Sequence, residues 1–155
     1  MTDDIFVPAL VKTEQNVYMY VSKIENDAIM PTRNHAEDAG LDFYALHYRI
    51  ILPINYCLVP TGIRVLIPPY TFGLLKPKGK SKWLVGAGVI DEGYTGEIMF
   101  KLFNPTGDVM EIHAGDPIGQ LIILPLYRPD IKEISEEEFN KFKTERGSSG
   151  GIHAK

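Results

Sequence analysis

Cysteine is nearly absent from this sequence, because Cys57 is the only one among 155 residues. A single cysteine cannot form a disulfide within the chain, and such usage is typical of a reducing compartment. The sequence also lacks a hydrophobic run long enough to cross a membrane, and its opening residues, MTDDIFVPAL, carry two acids where a targeting peptide would carry basic residues. We therefore expect a protein of the cytoplasm or the nucleus that has no membrane partner.

Positive charge is scarce as well, since 16 lysines and arginines face 20 acidic residues and the formal net charge is -4. This balance argues against direct nucleic-acid binding through a basic surface. The four histidines are scattered without the spacing of metal ligands, and the sequence contains no G-x-S-x-G motif. The sequence therefore predicts neither zinc chemistry nor acyl transfer.

Hydrophobic residues make up 45% of the chain, which is enough to build a core, and the length is that of one domain. We predict strands in VYMYVSKI (17–24), YCLVPTGIRVLI (56–67), FGLLK (72–76), EIMFKLF (97–103) and PIGQLIILPL (117–126). Turn signals separate the apolar stretches at Pro53, Thr61-Gly62, Pro68-Pro69, 104–107 and 114–116. Many short strands with almost no helical periodicity predict an all-β sandwich or barrel.

One short helix is predicted near the C-terminus, where Ser135 and Glu138 form an S-x-x-E capping box. Ile134, Phe139 and Phe142 could then pack on one side of it. We divide the chain into an N-terminal arm (1–16) without an assigned role, a β domain (17–143) and a glycine-rich C-terminal arm (144–155). The composition of the C-terminal arm favours a chain end without fixed structure, although an arginine followed by Gly-Ser-Ser-Gly-Gly would also suit an arm that covers phosphates.

Two local features could bind an anion or a cation. Asp42, in AEDAGLDFYA, is an aspartate on an otherwise apolar strand, which costs desolvation unless the carboxylate is solvated, paired or near a cation. The stretch KPKGKSKW (76–83) offers four lysines and Ser81 in a loop, and such groups suit phosphate oxygens. A solvated basic turn is the alternative for this loop. The spacing of a P-loop is absent.

Two further features could bind or act on a ligand. In VGAGVIDEGYTGE (85–97), four glycines surround Val89-Ile90-Asp91 and allow a hairpin whose backbone groups stay available to a ligand. Tyr94 offers a flat face for a sugar and Asp91 offers a base for water, whereas an ordinary glycine-rich hairpin with a surface acid is the alternative. Gln120 is a lone amide before an apolar strand, and it serves either a site or the core.

Taken in order, these stretches resemble the motifs of the trimeric dUTPases (deoxyuridine triphosphate nucleotidohydrolases). AEDAGLDFYA resembles the first motif, KGKSK part of the second, VGAGVIDEGYTGEI the third, AGDPIGQLIILP the fourth and ERGSSGG the beginning of the fifth. The match spans roughly residues 31–151 and keeps the motif order. The resemblance implies an all-β subunit, a jelly-roll-like distorted β-barrel, that forms a homotrimer. Its active sites would lie between subunits, each closed by an exchanged C-terminal arm.

The resemblance also implies a reaction, which is Mg²⁺-dependent hydrolysis of dUTP to dUMP and pyrophosphate. This would limit uracil in DNA and supply dUMP for dTMP synthesis. The implied roles are water activation by Asp91, uracil binding by Gly86, Gly88, Val89, Ile90 and Met99, rejection of ribose by Tyr94, phosphate binding by Lys80, Ser81, Gln120 and Arg146, and Mg²⁺ binding through water by Asp42.

Three departures from the family pattern leave the function open between two alternatives. The second-motif loop is short, since Lys82-Trp83-Leu84 leads at once into the third motif. Pro117 replaces a commonly basic residue, and Gly151 or Ile152 stands where the fifth motif has an aromatic residue. The chain is either a working dUTPase, which the joint presence of the site residues favours, or a catalytically weakened trimer that binds protein partners or senses nucleotides. A dCTP deaminase is a third and less favoured reading, because KGKSKW lacks the segment that such an enzyme requires.

Overall fold

Alternating apolar and polar residues build two four-stranded sheets in the computed structural model, which describes residues 17–142. The ten strands are β1 (Tyr20–Lys23), β2 (Gly40–Tyr44), β3 (Arg49–Ile51), β4 (Asn55–Leu66), β5 (Thr71–Lys76), β6 (Leu84–Val85), β7 (Val89–Ile90), β8 (Glu97–Asn104), β9 (Met110–Ile112) and β10 (Pro117–Pro125). One sheet has the order β1-β4-β8-β6, the other has the order β2-β10-β5-β7, and β3 pairs with β9. All pairings are antiparallel, which confirms the predicted all-β, jelly-roll-like fold.

The core lies between the two sheets, and strand β8 shows how the sequence makes it. Ile98, Phe100 and Leu102 are buried, whereas Met99 and Lys101 between them face outward. The ring of Phe100 lies 5.9 Å, centroid to centroid, from the ring of Phe43 on the opposite sheet. Burial of a side chain of this size contributes about 1.5–3 kcal/mol to folding. The strict alternation of β8 therefore fixes which of its faces meets the core.

The prediction of a turn at Thr61-Gly62 is wrong, because β4 continues past these residues and forms a β-bulge there. The pairing of β4 with β8 shifts register between Pro60 and Arg64, and Gly62 takes a φ of 68°. The Thr61 hydroxyl donates to the carbonyl of Ile98 across the ladder at 2.6 Å. A left-handed glycine thus bends the strand without ending it, which a turn signal in the sequence does not distinguish from a true turn.

The predicted helix is present as a single turn, α1 (Glu136–Phe139). Its capping box is formed as expected, with the Ser135 hydroxyl accepting from the backbone N–H of Glu138 at 3.2 Å. Phe139 and Phe142 lie beside each other, 6.3 Å between ring centroids, yet 67% and 71% of their surfaces stay exposed. The aromatic side of this turn therefore does not pack on the core of its own chain.

The two predicted arms, 1–16 and 144–155, lie outside the described residues, so the proposed division of the chain stays a prediction. Between residues 17 and 142, no helix reaches the length and apolar character that a membrane span requires. The cellular compartment expected from the sequence also stays a prediction.

Candidate functional site

The glycine-rich segment, residues 85–97, crosses from one sheet to the other. Strand β6 pairs with β8 in the first sheet, and β7 pairs with β5 in the second, so the segment is not the two-stranded hairpin that the glycines suggested. The crossing is tight, because the backbone N–H of Leu75 donates to the carbonyl of Gly88 at 2.7 Å. A Cβ on Gly88 would overlap the side chain of Leu75, so the close approach of the two strands requires glycine there.

A pocket of about 290 Å³ opens along this segment. It is lined by Leu58, Leu75, Ala87, Gly88, Val89, Ile90, Asp91, Tyr94, Glu97 and Met99. Most residues that the resemblance assigned to the base, the sugar and the attacking water are therefore brought together by the fold. Gly86 is not among the lining residues, and its N–H already donates to the carbonyl of Lys101 at 2.8 Å.

Asp91 and Tyr94 line this pocket, and both are exposed to solvent. The chain turns after β7, with the N–H of Tyr94 donating to the carbonyl of Asp91 at 3.0 Å. The Tyr94 hydroxyl donates to the carbonyl of Glu97 at 2.8 Å, which holds the ring while 40% of the residue stays exposed. The carboxylate of Asp91 is also exposed. The pocket thus presents a water-accessible base beside a fixed aromatic ring.

A second polar group surrounds Asp42, which we call the Asp42 cluster: Asn34, Asp42, Lys78, Ser81 and Gln120. Asp42 is only 6% exposed, and its carboxylate forms an ion pair with the ammonium of Lys78. The side-chain amide of Asn34 lies 3.4 Å from the same carboxylate oxygen. The sequence left open whether this aspartate is solvated, paired or near a cation, and it did not single out Lys78 among four neighbouring lysines.

Gln120 and Ser81 hold the loop that carries Lys78. Gln120 lies on β10 directly between Asp42 on β2 and Lys76 on β5, and its amide donates to the carbonyl of Pro77 at 3.0 Å. The hydroxyl of Ser81 accepts the backbone N–H of Lys78 at 3.2 Å. Two of the four predicted phosphate ligands, Ser81 and Gln120, therefore lie in the same cluster, where they shape the loop around Lys78.

Lys80 and Arg146 are not brought to the Asp42 cluster. Lys80 lines a different pocket of about 770 Å³ beside Trp83 and Asp108. Between residues 17 and 142, neither a hydrogen bond nor an ion pair joins Lys80 to Asp42 or Gln120. Arg146 lies outside the described residues. The roles assigned to these two basic residues stay predictions.

A further ion pair lies next to Asp91 and was not predicted from the sequence. The guanidinium of Arg128 donates to the carboxylate of Glu92 at 2.6 Å. This hydrogen bond, together with one from the backbone of Tyr70, holds the pKa of Glu92 below its ordinary value. The residues are 36 positions apart, so no local motif could have indicated the pairing.

The chemistry of Asp42 suits one mode of magnesium binding only. The described part of the chain contains no group of three or more histidine, cysteine, aspartate or glutamate residues that could hold a metal ion. Asp42 supplies a single carboxylate with a lysine beside it. Magnesium commonly keeps several waters and binds through one or two carboxylates plus substrate phosphates. The residues therefore fit an ion that arrives on a triphosphate, not an all-protein metal site.

The pocket and the Asp42 cluster are well separated within one chain. Asp42 lies three strands away from β7 across the second sheet, in the row of Gln120 and Lys76. Asp91 lies just beyond Ile90, which pairs with Gly73. With about 4.8 Å between strands and 3.3 Å per residue, Asp42 and Asp91 of one chain are about 20 Å apart.

Comparison with known proteins identifies relatives over nearly the whole chain. Residues 26–153 match the dUTPase family profile. The chain is 35% identical over 138 residues to the deoxyuridine 5'-triphosphate nucleotidohydrolase of Clostridium kluyveri, covering 85% of this chain and 94% of that protein. It is also 35% identical over 133 residues to the mitochondrial deoxyuridine 5'-triphosphate nucleotidohydrolase of Homo sapiens, covering 83% of this chain and 51% of that protein.

The solved structures that are similar to this chain are also dUTPases. A mutant dUTPase of Staphylococcus bacteriophage 80alpha, solved with dUpNHpp, superposes with a TM-score of 0.78 at 25% identity and covers 86% of this chain and 96% of that chain. A mutant dUTPase from phage phi11 of S. aureus, described for its coordination of a structural Mg(II) ion, superposes with a TM-score of 0.72 at 26% identity. It covers 79% of this chain and 99% of that chain.

Proposed function

Since this chain belongs to the dUTPase family, we propose that it hydrolyses dUTP to dUMP and pyrophosphate and that the reaction takes place at the pocket of Asp91 and Tyr94. The observation that carries the proposal is the meeting of an exposed carboxylate, a fixed tyrosine ring and a glycine-rich backbone in one pocket of about 290 Å³. The expected roles of the enzyme are to limit uracil in DNA and to supply dUMP.

Asp91 is the proposed general base. Its carboxylate takes a proton from a water molecule, whose oxygen attacks the α-phosphorus in line with the bridging oxygen of the leaving pyrophosphate. The bond from the α-phosphorus to that bridging oxygen breaks, and dUMP keeps the water oxygen. Because Asp91 is exposed at the pocket rim, water reaches it without rearrangement of the chain.

The proposed specificity for dUTP comes from the glycine-rich side of the pocket. Residues 88–90 line it together with Leu75 and Met99, and we expect their main-chain groups to bind the hydrogen-bonding edge of uracil and to leave little room for a thymine methyl group. Tyr94, held by Glu97, would pack against the deoxyribose and leave no space for a ribose hydroxyl. A closely packed pocket surface rejects a substrate with an extra methyl or hydroxyl group, because the added atoms must displace packed groups.

The triphosphate would bind at the Asp42 cluster. Lys78 supplies a positive charge there, and we expect it to contact phosphate oxygens together with Ser81 and Gln120, with Lys80 and Arg146 as further candidates. Asp42 would hold Mg²⁺ through water. A bound Mg²⁺ would neutralise charge on the phosphates and favour departure of pyrophosphate.

A homotrimer would bring the two parts of the site together. One nucleotide cannot place its α-phosphorus next to Asp91 and its Mg²⁺ next to Asp42 if these residues are about 20 Å apart in the same chain. A site between subunits removes this conflict. The outward face of β4 and β8 supports such an assembly, because Tyr56, Leu58 and Met99 are exposed large side chains on it, with Lys101 between them over the Tyr56 ring. Leu58 and Met99 also line the pocket.

The segment after β10 supports an exchange of C-terminal arms. Tyr127, Ile131, Phe139 and Phe142 are all exposed large hydrophobic side chains, and Ile131 is fully exposed. A segment that carries so much apolar surface without covering it on its own chain is suited to pack on a neighbour. Residues 126–142 would then lead each arm toward the site of another subunit.

Pyrophosphate release from dUTP in the presence of Mg²⁺ tests this function, with dTTP, dCTP and UTP as competing substrates. We expect rapid release from dUTP alone. The Asp91→Asn variant is the matched control, and it should be inactive. If the wild-type protein releases no pyrophosphate while its β-rich circular dichroism spectrum is intact, the catalytic proposal is wrong. A weakened family member that binds partners or nucleotides would then be favoured. Ammonia release from dCTP would indicate a deaminase.

A further inference from the structure

Three segments that are distant in sequence meet beside the turn that follows β7. The carboxylate of Glu92 accepts a hydrogen bond from the guanidinium of Arg128 at 2.6 Å. The backbone N–H of Leu126 donates to the carbonyl of Tyr70 at 2.9 Å. The turn with the proposed catalytic base is thereby tied to the chain that leaves β10, which is itself hydrogen-bonded to the β4–β5 connection.

Tyr70 takes an unusual conformation at this junction. Its φ is 58°, in the left-handed region that side chains other than glycine rarely adopt, and its own side chain is largely exposed. Such a residue keeps this conformation only when its surroundings fix it. Here its carbonyl accepts the backbone N–H of Leu126, which fixes the β4–β5 connection against the chain that leaves β10.

The turn at Asp91 has limited support of its own. Strand β7 is two residues long, and the turn after it is closed by the hydrogen bonds that Tyr94 makes with Asp91 and Glu97. Glu92 is the immediate neighbour of Asp91, and its ion pair with Arg128 reaches outside the turn. Any force that fixes the Glu92 side chain therefore limits the movement of the Asp91 carboxylate.

We propose that Arg128 is a positioning residue for the reaction, acting through Glu92 to hold Asp91 in place. Arg128 also stands where the chain departs from β10 toward the exposed segment 126–142. The same ion pair therefore joins the turn that carries the base to the chain that leaves β10. This inference rests on the proposed function, because the reaction it supports is the one assigned to Asp91.

Hydrogen exchange of the backbone amides tests the contact without any need for catalysis. In the full-length protein, we expect Arg128→Ala to increase exchange in residues 88–96, and Arg128→Lys to restore part of the protection. Lys141→Ala is the control, because Lys141 loses a longer and more exposed ion pair, to Glu137, that lies far along the chain from the turn. Unchanged exchange in residues 88–96 of Arg128→Ala would overturn the proposal, whether or not the wild type hydrolyses dUTP.

Steady-state kinetics with dUTP then test the consequence for the reaction. We expect Arg128→Ala to lower kcat about three- to tenfold with little change in KM, less than the roughly hundredfold effect of displacing a catalytic group by 1 Å. Glu92→Gln should have a similar effect, and the double variant should be no worse than either single variant, since both act through one contact. Additive losses, or an unchanged kcat in an active enzyme, would overturn the positioning role. An inactive wild type would refute the proposed function instead, and the exchange result would still be informative.

Discussion

The ammonium of Lys78 lies against the carboxylate of Asp42, 36 residues earlier in the chain, and the carboxylate is almost completely buried. The contact neutralises an acid that would otherwise be costly to bury on an apolar strand. It also places one particular lysine of the KPKGKSK loop beside the proposed phosphate site. Lys78 and Lys80, two residues apart, are therefore expected to differ sharply in importance.

A comparison of Lys78→Met with Lys80→Met tests this difference. Removing Lys78 leaves the Asp42 carboxylate buried without its partner, so we expect a loss of about 3 kcal/mol in unfolding free energy. We also expect kcat/KM for dUTP to fall about 10- to 100-fold, the scale of a lost charge-assisted hydrogen bond. Lys80→Met, on the same loop, should change stability by less than about 0.5 kcal/mol. Urea denaturation and initial rates measure both effects. A larger rise in KM for Lys80→Met would assign the phosphate contact to Lys80.

Asp91→Asn should separate binding from turnover. The amide keeps the size of the side chain but cannot accept the proton from water, so kcat should fall about 10²- to 10⁴-fold. Binding of a non-hydrolysable dUTP analogue, measured by calorimetry, should be nearly unchanged because Asp91 stands at the rim of the pocket. Retained turnover in Asp91→Asn would show that another group activates the water.

Tyr94→Ala should weaken the rejection of ribonucleotides. The tyrosine ring is held by its hydrogen bond to Glu97, and its removal opens the side of the pocket where the sugar is expected. UTP should then compete with dUTP for hydrolysis, which a competition assay can measure. Tyr18→Ala is the control, since Tyr18 is more exposed than Tyr94 and does not line the pocket. Equal selectivity in the two variants would remove Tyr94 from the sugar site.

Gly88 and Gly93 lie in the same segment but should respond differently to alanine. A Cβ at Gly88 overlaps the Leu75 side chain, whereas a Cβ at Gly93 meets no atom within 4 Å. We expect Gly88→Ala to destabilise the protein by about 1–3 kcal/mol through overpacking. Its kcat/KM should fall as well, because the pocket wall moves. Gly93→Ala should be close to wild type in thermal unfolding and in activity. Equal behaviour of the two variants would mean that β5 and β7 separate easily.

The ion pair of Glu92 and Arg128 should give stability that depends on pH. The pKa of Glu92 is held below its ordinary value of 4.5 by the hydrogen bond from Arg128 and by the backbone of Tyr70. Its folded-state pKa is lowered, so the stabilisation is present above pH 4.5 and is lost as the pH falls through the lowered value. Thermal unfolding should be measured from neutral to acidic pH. At pH 7 the unfolding temperature of the wild type should be higher than that of Arg128→Ala, and the difference should shrink below pH 4.5. A difference that stays constant into acid would rule out this charge as its source.

Much of the fold could be predicted because it depends on local patterns. The alternation of β8 and the turn residues between strands specify which faces are buried, and the capping box of Ser135 and Glu138 fixes the start of α1. The bulge at Gly62 could not be distinguished from a turn, because both use a left-handed glycine. Whether β6 and β7 pair with each other or join different sheets also depended on distant strands.

The sequence by itself determined the all-β class, the family and most residues around the pocket of Asp91, because each of these depends on short contiguous segments of the chain. Only the tertiary structure decided that Lys78 pairs with Asp42, that Arg128 reaches Glu92, and that Asp42 and Asp91 are far apart in one chain. These relationships join residues that are dozens of positions apart, and several equivalent partners compete for each of them in the sequence. The order and the register of the strands decide which partners meet, and the local sequence around each residue does not indicate that contact.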